Sequence, residues 1–200
     1  MAIVKNHDFV EIEYTGRVKE DNSVFDTQST IICVGENSLL KSLEEQLIGR
    51  ETGKKYSFEI NSEQAYGRKD ARLLQLIPMN KFREQKIQPV PGLQLNIDGV
   101  FGVVKTVSGG RCYVDFNHPL AGKNLAYEVN LIRIVDDGAE KISSLLNFQL
   151  GIKDAKIELK DGSAAINSKN EIPKEAQEAF KKIAERAIPG IKSLEFIKAE

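Results

Sequence analysis

The fold of this chain is decided by one stretch of sequence, residues 117–129, which reads NHPLAGKNLAYEV. Proline and glycine punctuate its first half, a composition that is typical of a tight turn. Its second half alternates, with Leu125, Tyr127 and Val129 on one face, and this pattern predicts a half-buried strand. The stretch therefore predicts the point at which the chain returns to a sheet.

The segments nearer the N-terminus predict the other members of that sheet. Residues 9–14 alternate between apolar and polar side chains, a second strand is expected near Val24, and residues 55–60 alternate again. Ser38 is expected to cap a short helix that Gly49 ends. The order strand, strand, helix, strand indicates an α+β domain, in which an antiparallel sheet wraps around one short helix. That helix is predicted by five aliphatic residues at helical spacing, Leu39, Leu40, Leu43, Leu47 and Ile48.

Residues 70–116 differ in composition and predict a small β-rich module. An apolar run at 73–78 ends in a proline, and residues 93–97, 100–107 and 111–116 are predicted to be short strands. The glycine pair between the last two strands is a strong hairpin signal. The apolar content of this module exceeds what a surface loop needs.

A boundary near residue 137 precedes a piece that predicts the element order α-β-β-α-β. Its first helix is expected at 141–150, and the turn at Asp161-Gly162 predicts a hairpin. Pro173 is well placed to begin the second helix, and residues 193–197 predict a closing strand. This piece shows no catalytic constellation.

Composition narrows the classes of protein that remain. The net charge is −1, the isoelectric point is about 6.2 and charged residues of both signs make up 28% of the chain, so no global field attracts nucleic acid. No apolar run approaches the length of a membrane span, and residues 1–7 are too polar for a signal peptide. Cys33 and Cys112 lack metal-ligand spacing and are expected to be small buried or half-buried residues in a reducing compartment. We therefore expect a cytoplasmic protein that binds neither nucleic acid nor membrane.

Three further motifs complete the pattern: Tyr14-Thr15-Gly16, Phe25-Asp26 and Ala65-Tyr66-Gly67. With residues 117–129 they resemble the FKBP-type peptidyl-prolyl cis-trans isomerases, in particular the SlyD-like branch, which carries an inserted chaperone domain. The C-terminal piece resembles that of the long archaeal members. The resemblance implies an enzyme that isomerises X-Pro bonds and assists folding, with unfolded or proline-containing polypeptides as partners and no cofactor.

The resemblance also implies a site, a hydrophobic hollow between sheet and helix that receives the proline ring of the substrate. The residues expected to act in catalysis are Tyr14, Asp26, Tyr66 and Tyr127. The residues expected to bind substrate are Phe25, Leu39, Leu40 and Leu43, together with Ile77, Met79 and Phe82 in an exposed groove of the insert. Tyr66 would donate a hydrogen bond to a substrate carbonyl. Asp26 would either interact with the rotating carbonyl or be held by Tyr14 to shape the site, and both roles stay open.

Two residues depart from the family pattern. Leu43 replaces an aromatic pocket floor, as in many SlyD-like members, and Tyr127 adds a hydroxyl where the family usually has phenylalanine. Both favour a first alternative, a holdase chaperone or assembly module with a catalytically weak pocket. No partner His or Cys is near His118 in sequence, so we expect no metal site and assign residues 117–119 to the turn that closes the rim.

Together these arguments predict three parts. They are a discontinuous isomerase domain of residues 1–69 and 117–136, an inserted chaperone domain of residues 70–116, and a C-terminal domain of residues 137–200. Taken singly, each site residue is explained by the needs of a core, and only the ordered constellation indicates function. A second alternative is a scaffold in which the C-terminal domain docks a partner or a second copy of the chain, since its helix has an apolar face.

Overall fold

The computed structural model describes residues 1–97 and 99–198, and the bounds of its elements follow in chain order. They are β1 (Phe9–Val18), β2 (Val24–Cys33), α1 (Lys41–Leu47), β3 (Lys54–Ile60), β4 (Leu74–Pro78), α2 (Met79–Glu84), β5 (Gln94–Ile97), β6 (Val100–Ser108), β7 (Arg111–Asp115), β8 (Leu125–Ile134), α3 (Gly138–Leu150), β9 (Lys156–Lys160), β10 (Ser163–Ser168), α4 (Lys174–Ala187) and β11 (Ser193–Lys198). Among the described residues, no helix is both long enough and apolar enough to cross a membrane.

Contacts between residues divide the chain into two compact units. The first comprises Met1–Ile60 together with the chain from Leu125 onward, and the second is Asn61–Asn124. The second unit is wider than the predicted insert because residues on both flanks bond to it, Lys69 to Asp115 and Asn117 to Asp70. The three-part division stays a prediction, and its last two residues, 199 and 200, lie outside the described range.

A four-stranded antiparallel sheet forms the centre of the first unit, in the order β2-β1-β8-β3. β1 buries alternate residues, including Ile12 and Tyr14, as its sequence predicts. β8 is the return strand expected after residue 124, and it pairs with both β1 and β3. Helix α1 contributes the fully buried side chains of Leu43 and Leu47 to this part of the core. The predicted α+β architecture is therefore confirmed.

Helix α1 begins later than the sequence predicts. It starts at Lys41 with Leu40 as its N-cap, and Leu40 supplies no side-chain hydrogen bond. The expected capping role of Ser38 is wrong, because its hydroxyl instead bonds to the backbone of Cys33, accepting from the N–H at 3.2 Å and donating to the carbonyl at 3.3 Å. Ser38 therefore fastens the segment before the helix rather than the helix itself.

The C-terminal piece of the first unit has the predicted order α3-β9-β10-α4-β11. β10 pairs antiparallel with β9 and parallel with β11, so α4 is the crossover connection between two parallel strands. The β9–β10 turn has positive φ at Asp161 (51°) and Gly162 (83°), as a two-residue hairpin turn requires. This piece shares one apolar core with the start of β1 and the end of β2, because Phe9 and Cys33 are buried among residues of α3 and α4.

The second unit is built on a separate antiparallel sheet in the order β4-β7-β6-β5. The predicted hairpin joins β6 to β7, where Gly109 and Gly110 have φ of 56° and 72°. The short helix α2 was not predicted, because six residues are too few to establish a helical period. The core of the second unit consists of Phe82, Leu95, Val104, Cys112 and Val114.

Candidate active site

Strand register in the first unit brings four of the predicted site residues together around Gly16. Gly16 is paired with Asp26 of β2 on one side and with Tyr127 of β8 on the other. The ring centroids of Phe25 and Tyr127 are 5.7 Å apart in an edge-to-face arrangement, and those of Tyr14 and Tyr127 are 6.1 Å apart. These contacts lie in the range that favours aromatic pairs, so the three rings form one apolar cluster.

Gly16 is required by the close approach of the two rings that flank it. A Cβ atom at this position would lie 2.6 Å from Phe25 and 3.0 Å from Tyr127. Such distances are well inside van der Waals contact, so any larger residue would displace both rings. The glycine of the Tyr14-Thr15-Gly16 motif therefore shapes this cluster.

The carboxylate of Asp26 is oriented by two neighbours on the same sheet. The Tyr14 hydroxyl donates a 2.6 Å hydrogen bond to Oδ2, and the Gln28 side chain donates a 3.3 Å hydrogen bond to Oδ1. Gln28 was not among the predicted site residues. Its signal in the sequence is its spacing, since a residue two positions after Asp26 on a strand projects from the same face.

The leucines of the predicted pocket lie at the beginning of α1. Leu39 and Leu40 precede the helix and are half-buried, whereas Leu43 lies inside it and is completely buried. The pre-helix segment, residues 34–40, carries the first two. Its conformation therefore decides how Leu39 and Leu40 are presented.

Glu44 of α1 fixes the pre-helix segment through its carboxylate. The two oxygens accept hydrogen bonds of 2.7 Å from the backbone N–H groups of Gly35 and Leu39. Burial raises the pKa of this carboxyl, while the same backbone hydrogen bonds act in the opposite direction. A hint of this role is visible in the sequence, because Glu44 is an acidic residue among the apolar residues Leu43 and Leu47 on the buried face of α1.

Tyr66 belongs to the second unit, where its ring stacks on His118. The ring centroids are 4.1 Å apart and the planes are inclined by 6°. Nδ1 of His118 accepts a 3.2 Å hydrogen bond from the backbone N–H of Leu120, which fixes the imidazole within the turn. The backbone N–H of Gly122 also donates to the carbonyl of Gly67 at 2.8 Å. The predicted turn after Asn117 is therefore tied to the Tyr66 motif within this unit.

The insert residues expected to line an exposed groove are more buried than the sequence predicts. Phe82 is only 3% exposed and lies in the core of the second unit, while Ile77 and Met79 are half-buried and pack against that core. Helix α2 turns Phe82 inward, which explains the difference. An open groove of about 330 Å³ is nevertheless lined in part by Ile77 and Phe82.

Three exposed apolar side chains of the second unit lie on β4 and β7. Leu76 of β4 and Tyr113 of β7 are directly paired across the sheet and are 41% and 51% exposed. Leu74 lies two residues before Leu76 on β4 and is also exposed. We call these three residues the β4–β7 apolar face.

The two cysteines are free and buried, as predicted. Burial raises the pKa of the Cys33 thiol to about 12, and the nearby carboxylates of Glu36 and Glu44 add to this effect. Burial also raises the pKa of Cys112. In residues 1–97 and 99–198, no group of three or more His, Cys, Asp or Glu side chains is arranged to hold a metal ion.

Comparison with known proteins identifies the class to which this fold and cluster belong. A family model described as the IF domain of FKBP26 matches residues 75–120. The chain is 32% identical over 118 residues to a probable FKBP-type 16 kDa peptidyl-prolyl cis-trans isomerase of Pseudomonas fluorescens, covering 56% of this chain and 77% of that protein. It is 30% identical over 151 residues to the FKBP-type peptidyl-prolyl cis-trans isomerase SlyD of Pasteurella multocida, covering 72% and 74%. It is also 29% identical over 147 residues to the short-type peptidyl-prolyl cis-trans isomerase of Methanocaldococcus jannaschii, covering 64% and 92%.

The chain belongs to the FKBP-type peptidyl-prolyl cis-trans isomerases. The family predicted from the sequence is thereby confirmed, and so is the presence of an inserted IF domain. The roles of individual site residues stay predictions.

Proposed function

We propose that this protein catalyses cis-trans isomerisation of X-Pro bonds in unfolded or partly folded polypeptides, and that its insert captures those polypeptides. The observation that carries the proposal is the cluster of Tyr14, Phe25, Asp26 and Tyr127 around Gly16, in a chain of the FKBP family. No cofactor enters the proposal. The cytoplasmic location predicted from the sequence stays a prediction.

The chemistry of the reaction suits an apolar cluster with few polar groups. Rotation about an X-Pro bond breaks the conjugation of the amide, with a barrier of ~18–20 kcal/mol, and no covalent bond is made or broken. A catalyst therefore needs neither a nucleophile nor an acid–base pair. It needs surroundings that bind the twisted amide more tightly than the planar one. A water-excluding aromatic wall favours the twisted amide because that state is less dipolar.

Within this proposal the polar groups have different tasks. Asp26, held by Tyr14 and Gln28, shapes the polar edge of the cluster. By resemblance, Tyr66 supplies a hydrogen-bond donor for a substrate carbonyl. Leu39 and Leu40 supply apolar contact for the proline ring, and Leu43 supports them from the helix.

The insert is proposed to capture clients with the β4–β7 apolar face. Two of its exposed residues, Leu74 and Leu76, lie on β4, the first strand in the order β4-β7-β6-β5, and Tyr113 lies on the neighbouring strand β7. An edge strand offers unpaired backbone groups to an extended polypeptide, and exposed apolar side chains add promiscuous contact.

A weak isomerase that acts mainly as a holdase is the second candidate, favoured by Leu43 in place of an aromatic floor. Self-association through the C-terminal domain stays a hypothesis.

The test compares the full chain with a variant in which residues 71–115 are replaced by a short glycine linker. The ends are suited to closure, because the backbone N–H of Asp70 lies 2.8 Å from Oδ1 of Asn117. Both proteins are assayed on a short X-Pro peptide and on the refolding of a proline-limited protein. We expect equal turnover of the peptide and much faster protein refolding with the full chain. If neither protein accelerates the peptide while the full chain still suppresses aggregation, the isomerase proposal fails and the holdase stands.

A further inference from the structure

A buried carboxylate in the pre-helix segment is bound by the C-terminal piece of the chain. Glu36 is only 3% exposed. Nε of Arg186, in the last turn of α4, lies 3.0 Å from its Oε1, and Nη2 of the same arginine contacts Oε2. This is the bidentate geometry in which an arginine fixes both the position and the orientation of a carboxylate.

Two further groups converge on the same residue. The side-chain amide of Gln149, at the end of α3, donates a 3.1 Å hydrogen bond to the backbone carbonyl of Glu36. Nδ1 of His7 lies 3.2 Å from Oε1 of Glu36. Both helices of the C-terminal piece therefore contact one residue of the pre-helix segment, one through its side chain and one through its backbone.

The pre-helix segment is consequently fixed from two sides. Glu44 binds the backbone of Gly35 and Leu39 from within α1, while Arg186 and Gln149 bind Glu36 from α4 and α3. Residues 34–40 form no helix or strand, so their conformation depends on these contacts and on the hydrogen bonds between Ser38 and the Cys33 backbone. The segment ends at Leu39 and Leu40, the two residues assigned to the proline ring.

We propose that the C-terminal piece positions the substrate-binding leucines, with Arg186 as the positioning residue that acts through Glu36. This inference rests on the proposed isomerase function and assigns a task to a piece of the chain that carries no catalytic constellation. Arg186 does not touch substrate. It holds the pre-helix segment in the conformation that presents Leu39 and Leu40, and small displacements of groups that position a substrate are costly to catalysis.

The test measures kcat and KM for a short X-Pro peptide with the full-length R186Q variant. We expect kcat/KM to fall about tenfold, mainly through KM, because substrate-binding groups are misplaced while the polar edge at Asp26 is intact. We also expect faster hydrogen exchange of the Leu39 amide. R186K serves as the conservative variant, since it keeps the charge but not the bidentate geometry, and its kcat/KM should fall about threefold.

The matched control is R133Q. Arg133 lies in the same unit and also joins the sheet to α3, through Glu11 and Glu140, but it does not bond to the pre-helix segment. Its kcat/KM should stay within about twofold of the wild type, because exposed ion pairs contribute little. Thermal unfolding measures whether each variant is folded at the assay temperature. If R186Q is not folded there, the comparison is made with R186K instead.

Each outcome decides between specific possibilities. If the folded Arg186 variant has the kcat/KM of the wild type, this inference is wrong and the proposed function stands. If R133Q loses as much kcat/KM as R186Q, the loss reflects a general effect of docking and this inference is again wrong. A wild type without activity on the peptide would overturn the proposed function and this inference with it.

Discussion

The Tyr14 hydroxyl donates a 2.6 Å hydrogen bond to Oδ2 of Asp26, from one strand of the sheet to its neighbour. The other carboxylate oxygen is bound by Gln28. A carboxylate with both oxygens engaged on the protein has a fixed orientation. Of the two roles left open for Asp26, the geometry therefore favours shaping the site over direct interaction with the rotating carbonyl of the substrate.

We expect Tyr14→Phe to lower kcat/KM about fivefold, roughly 1 kcal/mol, because it removes the hydrogen bond that orients Asp26. The measurement is peptide isomerisation by NMR exchange. Tyr56→Phe is the matched control, since its hydroxyl bonds to the backbone of Glu51 in the same unit. If Tyr14→Phe is as active as Tyr56→Phe while Asp26→Asn loses activity, Asp26 acts directly.

Gly16→Ala should both destabilise the protein and reduce activity. The added Cβ would lie 2.6 Å from Phe25 and 3.0 Å from Tyr127, so both rings must move. Overpacking of this kind costs about 1–3 kcal/mol, which urea unfolding measures. Thr15→Ala, at the neighbouring half-buried position, is the control and should change little. Equal stability of the two variants would show that the rings are not held as tightly as the contact distances imply.

Phe82→Ala should destabilise the second unit by about 3–5 kcal/mol, because it leaves a cavity in a small core. Phe82 packs there with Val104 and Val114. Phe101→Ala is the control, since that side chain is 71% exposed and its loss should change the free energy of unfolding by about 0.5 kcal/mol or less. An unfolding transition that Phe82→Ala leaves unchanged would contradict the core assignment.

The paired change Leu76→Ser and Tyr113→Ser should weaken capture of unfolded clients without reducing peptide turnover. Both side chains are exposed and directly opposite each other on the sheet, so they are available for contact at little cost in stability. We expect about fivefold weaker suppression of aggregation, in line with the loss of one central apolar contact. Val90→Ser, equally exposed but outside the β4–β7 apolar face, should behave as the wild type. Loss of peptide turnover in the double variant would argue against separate tasks.

Much of this fold could be predicted because local sequence patterns indicate its strands and turns. Alternation identifies β1 and β3, and the Asp161-Gly162 and Gly109-Gly110 turns identify two hairpins, because these signals depend on residues adjacent in sequence. The return strand that begins at Leu125 is predicted in the same way, from the alternation of Leu125, Tyr127 and Val129. Family motifs then assign Tyr14 and Asp26 to one site.

The contacts that hold the site in place were not predictable from the same patterns. Glu36 and Arg186 are 150 positions apart, and neither has a neighbour that marks it as paired. Ser38 is a residue type that commonly caps helices, but its hydroxyl is hydrogen-bonded to the backbone of Cys33 instead. Phe82 was expected at the surface because α2 is too short to show which face it buries. Tertiary contact decides each of these cases.

Asp115 links the two flanks of the second unit and provides a prediction on acid stability. It is 5% exposed, and burial alone would raise its pKa. Hydrogen bonds from Lys69 at 2.9 Å and from Asn117 at 2.8 Å and 3.0 Å outweigh burial and lower the pKa from 3.8 to about 2. A carboxyl with a lowered folded-state pKa stabilises the protein above its unfolded pKa, and this contribution is lost as the pH falls through the folded-state value.

Asp115→Asn should therefore be less stable than the wild type by about 2 kcal/mol at pH 7, and the difference should disappear between about pH 4 and pH 2. Urea unfolding followed by circular dichroism at several pH values measures it. Asp154→Asn is the control, because Asp154 is an exposed residue whose ion pair with Lys169 spans 3.7 Å and should contribute little at any pH. A gap between wild type and Asp115→Asn that stays constant from pH 7 to pH 2 would show that the carboxylate charge does not stabilise the flanks, and that the amide and backbone contacts of Asn117 hold them instead.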